Sequence, residues 1–305
     1  MIKKLLCLAI FLSVLISFLV FKTTRGKEST DLISPLLNEQ KVLGINQWFP
    51  SSVSATQIDA PNISANAAFF IDTKTGQVLY SKNIHDRLPI ASLVKVMTVL
   101  ITLENKSMND QFVVSQKAAE MEPDKMLLIA GEKLTLKELL DGIFLVSAND
   151  AAEVLAEETT GNRSEFIKLM NNKAKQLGLR DTFYANPTGL DEDTNNSYSS
   201  TFDLAILTRY LIHHFPQIVD ISKSEHIYLP QSETHQDYDM YTGINLLATY
   251  PGVVGFKTGF TPEAGLTLIT LVRKNGHEII GVLLGSGDRR DEARDILDYV
   301  FKKLL

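Results

Sequence analysis

A single cysteine, Cys7, in 305 residues leaves this chain without a disulfide framework and without the thiolates of a structural zinc cluster. Histidine is nearly as scarce. His85, His213, His214, His226, His235 and His277 show no His-Glu-x-x-His or similar spacing, so the signature of a zinc peptidase is missing. The His213-His214 pair is better suited to the C-terminal end of a helix, where its charge meets the dipole. An excess of positive charge is absent too: 30 Lys and Arg face 36 Asp and Glu, for a formal charge of −6. The first 27 residues carry five basic side chains and no acid, which leaves −11 on the remainder and argues against nucleic acid as a partner. With only 17 glycines and 10 prolines the chain is neither fibrous nor low in complexity, and no internal repeat is visible. What it does have is a hydrophobic fraction of 45% with 22% charged residues, enough to bury a sizeable core in one large domain or two smaller ones.

Long apolar runs are also few, and the first stands apart. Leu5 to Phe21 is interrupted only by Ser13 and Ser17, and as a helix of about 26 Å it just crosses a bilayer. Lys3-Lys4 ahead of it fits either a secretory signal or an anchor. The exit Lys22-Thr23-Thr24-Arg25-Gly26 offers no A-x-A-like cleavage site, which favours an uncleaved N-terminal membrane anchor over residues 1–22 and a secreted form if it is cut. Basic residues on both sides leave its orientation open. Cys7 lies inside this run and reads as a small hydrophobe. Residues 23–61, with Pro35, Pro50, Pro61 and serine pairs but no sustained period, read as a polar linker. A globular unit follows over residues 62–305.

That unit opens with Ala67-Ala68-Phe69-Phe70-Ile71-Asp72 and Gln77-Val78-Leu79-Tyr80, separated by Thr73-Lys74-Thr75-Gly76, which is a hairpin in composition and spacing. Helical patterning predicts helices at about 92–104, 136–146, 150–157, 164–177 and 202–213. Strand patterns return at 266–272 and 278–284, ahead of a last helix from about 291 to 305. A strand pair, a helical middle, a second strand pair and a closing helix predict an α+β fold, with one antiparallel sheet flanked by helices and a separate helical lobe.

Three short segments carry candidate chemistry. In Ala91-Ser92-Leu93-Val94-Lys95, a helix starting near Pro89 places Ser92 in its first turn and Lys95 on the same face. A serine hydroxyl needs a neighbouring base to act as a nucleophile, and a lysine serves only if burial or another cation lowers its pKa. The bland alternative is a helix-start serine beside a solvated lysine. Ser147-Ala148-Asn149 closes one helical run and precedes another, so it either faces a cleft or merely caps, with Asn149 as N-cap. Gly255-Phe256-Lys257-Thr258-Gly259-Phe260-Thr261 leads into a strand-like run. There Gly259 would admit a substrate backbone to the strand edge, and Lys257 would either lower the pKa of Lys95 and attract an anionic group or be a solvated strand lysine.

Taken in order, Ser92-x-x-Lys95, Ser147-x-Asn149 (55 residues after Ser92) and Lys257-Thr258-Gly259 (165 residues after Ser92) match the motif set of penicillin-binding proteins and class A β-lactamases. Residues from about Ala67 to Phe301 resemble the serine-type D-alanyl-D-alanine carboxypeptidases, the low-molecular-mass penicillin-binding proteins. Thr75 to Tyr80, Ala151-Ala152, Asn186-Pro187-Thr188-Gly189-Leu190, Ser199-Ser200-Thr201 with Asp203-Leu204-Ala205, and Ala264-Gly265 add to the likeness. The resemblance implies a β-lactamase/penicillin-binding-protein-like fold without cofactor or metal, and hydrolysis of the terminal D-Ala-D-Ala bond of peptidoglycan stem peptides through an acyl-enzyme. β-Lactams would be covalent inhibitors. It implies Ser92 as nucleophile, Lys95 as base, a base assignment disputed among relatives of this fold, and Ser147 as proton relay. Asn149, Lys257, Thr258 and Gly259 would hold substrate, and backbone N–H groups of Ser92 and Phe260 would form the oxyanion hole. Arg289 would bind the substrate carboxylate, with neighbouring Arg290 left as an alternative. Many relatives carry histidine where this chain has Phe260. Many also append a β-rich domain and a C-terminal membrane helix, neither of which is expected after Leu305. An endopeptidase acting on cross-links and a non-catalytic, membrane-tethered wall-binding protein are the remaining alternatives. A class A β-lactamase is disfavoured because no Glu-x-x-Leu-Asn segment follows Ser147. The expected location is the extracytoplasmic face of a bacterial membrane.

Overall fold

The computed structural model describes residues 59–192 and 196–304. The apolar stretch 5–21, and with it the expected anchor and the linker as far as residue 58, lies outside the described residues. Among those described, no helix is long and apolar enough to cross a membrane.

Ala67–Asp72 forms strand β1 and Val78–Lys82 forms β2. The intervening turn is organised by Asp72, whose carboxylate accepts the Lys74 and Thr75 N–H groups while its carbonyl accepts that of Gly76. Such local side-chain bonding is why Asp initiates turns. The other strands of this sheet come from the far end of the chain: β9 (Val253–Thr261), β10 (Gly265–Lys274) and β11 (His277–Ser286). The order is β2-β1-β11-β10-β9, antiparallel throughout, with Phe70 opposite Gly281 and Gly259 opposite Thr267. β1 is apolar and buried on both faces, which explains its unbroken AAFFID run where a half-exposed strand would alternate.

Each face has its own cover. The C-terminal helix α9 (Arg289–Leu304) lays Ala293, Ile296, Leu297, Val300 and Phe301 against Phe70, Leu268, Val272, Ile279 and Leu283. On the other face α6 (Thr201–His214) brings Phe202 to 5.7 Å from Phe69, centroid to centroid. The expected α+β layout is therefore present.

The helical lobe lies between β2 and β9 in the chain. It contains α1 (Lys95–Asn105), α2 (Gln116–Ala119), α3 (Leu136–Leu145), α4 (Asn149–Thr160) and α5 (Arg163–Gln176). α1 is buried from Lys95 to Leu103, as befits a helix apolar on nearly every side. α4 is buried from Asn149 to Ala156, and its alanines let α1, α3 and α5 approach closely. Capping defines the ends. Thr135 and Glu138 form a reciprocal capping box at α3, and Asn162 accepts two N–H groups at the start of α5.

Several small elements have no counterpart in the sequence expectations. The strand pairs β3 (Leu88–Pro89) with β6 (Tyr198–Ser199), β4 (Gln111–Val113) with β5 (Lys133–Thr135), and β7 (His226–Leu229) with β8 (Tyr238–Tyr241) are each two to four residues long. Helices α7 (Gln217–Ser222) and α8 (Asn245–Thr249) are only six and five residues long. Segments of this length complete no hydrophobic period, and β3 and β6 meet across more than 100 residues of chain, so local patterning cannot reveal them.

Phe70→Ala, which empties a fully buried site between sheet and α9, is expected to cost about 3–5 kcal/mol of unfolding free energy in urea titration. Thr135→Ala, which removes only a cap, is expected to cost about 1 kcal/mol.

Candidate active site

Ser92 sits on a 3₁₀ turn, Ala91–Val94, that runs directly into α1 at Lys95. In a 3₁₀ turn, side chains at i and i+3 eclipse one another, so Ser92 and Lys95 are aligned by backbone geometry alone. The Lys95 ammonium nitrogen is 2.9 Å from Ser92 Oγ. Ala91 enters this turn at φ 48°. Two glycines allow the surrounding chain to close on it. Gly189, at φ +83°, lies so near that a Cβ would sit 1.9 Å from the Ala91 carbonyl oxygen, and a Cβ on Gly259 would come within 2.9 Å of the Ser92 nitrogen.

Lys95 is wholly buried, and its Nζ has two further neighbours, Asn149 Oδ1 and the Thr188 carbonyl, both at 2.7 Å. Neither of these can donate. A neutral amine therefore spends both N–H bonds on them and presents its lone pair to the Ser92 hydroxyl. Burial, followed by the charge of Lys257, holds the Lys95 pKa well below the ordinary lysine value, in the direction that arrangement requires.

Ser147, at φ 60°, lies in the connection between α3 and α4. Its Oγ accepts a 2.8 Å hydrogen bond from Lys257 Nζ, which also donates to the Thr258 carbonyl at 2.6 Å. Lys257 is 1% exposed, which disposes of the solvated-lysine reading, and burial together with nearby Arg289 lowers its pKa to about 7. Asn149 is the first residue of α4, and the cap position belongs to Ala148, which has no capping side chain. The alternative of Asn149 as an N-cap thus gives way to a bridging position between Lys95 and the Pro123 carbonyl.

The two arginines differ sharply. Arg289 is half-buried and donates from Nη1 to the Gly259 carbonyl at 2.7 Å, beside a small cavity of about 40 Å³ lined by Thr258 and Gly243. Arg290 also borders that cavity, but its side chain is exposed and its guanidinium pairs with Asp291 at 2.9 Å. Phe260 stands off the β9 edge, 59% exposed. A larger cavity of about 520 Å³, under α5, touches none of the motif residues. Among the described residues no group of three or more His, Cys, Asp or Glu is arranged to hold a metal ion.

Residues 54–288 match the model of peptidase family S11, described as D-alanyl-D-alanine carboxypeptidase. The chain belongs to that family. It is 37% identical over 78% of its length to the D-alanyl-D-alanine carboxypeptidase DacF of Bacillus subtilis. Among solved structures it is similar to the D-alanyl-D-alanine carboxypeptidase DacD of Francisella tularensis, with TM-score 0.74 and 26% identity over 84% of this chain and 74% of that one. It is equally similar to the Streptomyces K15 DD-transpeptidase, with TM-score 0.74 and 26% identity over 80% of this chain and 99% of that one. The chain spans 62% of the length of DacF. It spans 65% of the length of DacC from Escherichia coli.

Three structural supports of the site receive no role from the sequence, although the first of them is a segment of the resemblance. The Asn186-Pro187-Thr188-Gly189 turn is held by Asn186 Oδ1, which accepts from Thr188 N, Thr188 Oγ1 and Gly189 N, and this aims the Thr188 carbonyl at Lys95. The turn composition is legible, but its target lies 93 residues away. Asp150, next to Asn149, accepts the Met126 and Leu128 N–H groups and fixes the loop over the site. The Pro123 and Asp124 carbonyls, which receive the Asn149 side chain and backbone N–H, carried no sequence signal.

The lowered lysine pKa values set a pH dependence of stability. In the unfolded chain Lys257 protonates near its ordinary 10.5, in the native state near 7, so between these values the unfolded state binds more protons and stability rises with pH. Lys95 acts in the same direction. Urea midpoints are expected to increase from pH 7 to 9, and Lys257→Met to flatten that slope; a flat wild-type profile would contradict a depressed Lys257.

Proposed function

We propose that this chain hydrolyses the terminal D-Ala-D-Ala bond of peptidoglycan stem peptides through a serine acyl-enzyme. The observation that carries this reading is the buried Lys95 amine, with two fixed acceptors and its third direction on Ser92 Oγ. A neutral lysine so placed accepts the hydroxyl proton as Oγ attacks the carbonyl carbon of the penultimate D-Ala. The developing oxyanion faces the backbone N–H groups of Ser92 and Phe260, where each preorganised donor is worth about 3 kcal/mol in comparable sites. When the tetrahedral species collapses, the C–N bond breaks and Ser147 relays a proton to the leaving amine. Water then attacks the ester, Lys95 again taking the proton, and Ser92 is regenerated.

The rest of the site suits the two ends of that substrate. Lys257, Thr258 and Arg289 form a cationic, hydroxyl-bearing end for the terminal carboxylate, while Asn149 and the β9 edge hold the peptide. Gly259 keeps that edge open against Ser92. With wall peptides as substrate, the enzyme works outside the cytoplasmic membrane, tethered through residues 5–21 and the linker 23–61, with residues 62–305 as the catalytic unit. Penicillin, whose strained amide meets the same serine, becomes a covalent inhibitor.

Mass spectrometry of the full chain with diacetyl-Lys-D-Ala-D-Ala, and separately with penicillin, tests the assignment. The expected outcome is release of one D-Ala and a penicilloyl adduct on Ser92, both lost in Ser92→Ala. An adduct without D-Ala release would move the reading to an endopeptidase, and neither product would move it to a binding protein.

The pH profile of kcat/KM provides a second check. Lys95 acts when neutral, so activity rises through its depressed pKa on the acid side. Lys257 holds the carboxylate when protonated, so kcat/KM falls through about pH 7 on the basic side, and Lys257→Arg is expected to move that limb upward.

A further inference from the structure

Residues 122–129 form a loop over the Asn149 side of the site, and it is firmly held. The Asn149 side chain donates to the Pro123 carbonyl, its backbone N–H donates to the Asp124 carbonyl at 2.7 Å, and Asp150 accepts Met126 and Leu128 N–H groups at 3.1 Å each. Asp124 has φ 49°, a left-handed conformation that Asp tolerates better than most residues. Its side chain is exposed and makes no ion pair among the described residues, while neighbouring Lys125 and Glu122 neutralise each other. Its charge nonetheless acts on the buried amines of both Lys95 and Lys257.

The cleft is therefore polarised. Lys257 and Arg289 give one end positive charge, and beyond Asn149 stands a carboxylate that makes no ion pair among the described residues. On the function proposed above, a peptide with its terminal carboxylate at Lys257 and Arg289 and its scissile carbonyl at Ser92 sends its preceding residue past Asn149 toward this loop. Leu127, 62% exposed and pinned by the Gln236 side chain at its carbonyl, offers an apolar support next to Asp124. An acid beside an exposed aliphatic surface matches a long alkyl side chain ending in an ammonium group.

We propose that Asp124 is a specificity residue that selects stem peptides whose diamino acid, immediately before D-Ala-D-Ala, keeps a free ammonium group. This inference rests on the D-Ala-D-Ala reading of the site, and the test separates the two. The full chain and Asp124→Asn are compared on three peptides, Nα-acetyl-L-Lys-D-Ala-D-Ala with its side-chain amine free, acetylated or succinylated. For the wild type, kcat/KM is expected to favour the free amine over the acetylated form by about fivefold, the upper range of an exposed ion pair, and to disfavour the succinylated form. In Asp124→Asn the free-to-acetyl ratio is expected to fall to about one, and in Asp124→Lys the succinylated peptide is expected to become the better substrate. Because each figure is a ratio within one variant, general changes in the lysine pKa values or in stability cancel. A wild-type ratio near one, or a ratio that survives Asp124→Asn, overturns the role of Asp124 while leaving the hydrolase reading intact. Absence of D-Ala release from all three peptides overturns both.

Discussion

The rest of this structure depends on burying one amine. Lys95 has no solvent contact, and an isolated ammonium group cannot be taken out of water without several kcal/mol of cost. The protein meets that constraint by lowering the amine's proton affinity and by supplying two acceptors, the Asn149 side chain and the Thr188 carbonyl. Those acceptors sit on different elements, one at the head of α4 and one on the turn before β6. Holding both at 2.7 Å requires the helical lobe and the sheet-flanking segments to be in register. Burial, followed by the charge of Lys257, lowers the proton affinity of the amine that lies 2.9 Å from Ser92 Oγ.

The second constraint is space. The Ser92 turn is enclosed by Gly189 on one side and by Gly259 of the β9 edge on the other, each so near that a methyl group would collide with backbone. A sheet edge normally exposes unpaired N–H and C=O groups and invites another strand. Here that edge is brought beside Ser92, as the function proposed above requires.

Charge is arranged with the same economy. Three basic side chains, Lys95, Lys257 and Arg289, all with proton affinity lowered by burial, share one small region of a chain whose formal net charge is −6. The charge of Lys257 lowers the proton affinity of Lys95 and that of Arg289 lowers that of Lys257, while Asp124 at the loop above acts in the opposite direction on both amines.

Much of this was legible in the chain before any folding. The 3.6-residue period located the main helices, and short apolar runs bounded by turn residues located the β1, β2, β10 and β11 strands, because a strand covered on both faces has no exposed side to alternate. The order Ser92-x-x-Lys95, Ser147-x-Asn149, Lys257-Thr258-Gly259 marked the segments that the structure brings together, since only a few side chains can do such chemistry. Pairings over long separations were beyond reach: β3 with β6, the Thr188 carbonyl on Lys95, and the Pro123 and Asp124 carbonyls on Asn149 all join segments whose local composition says nothing of one another. Choosing between Arg289 and Arg290 was equally undecidable in sequence, because neighbours on a helix point about 100° apart and only packing reveals which one faces β9. Local pattern thus determined which residues were available for chemistry, and tertiary structure decided their state, because proton affinity and reach depend on what lies within a few ångströms in space rather than along the chain.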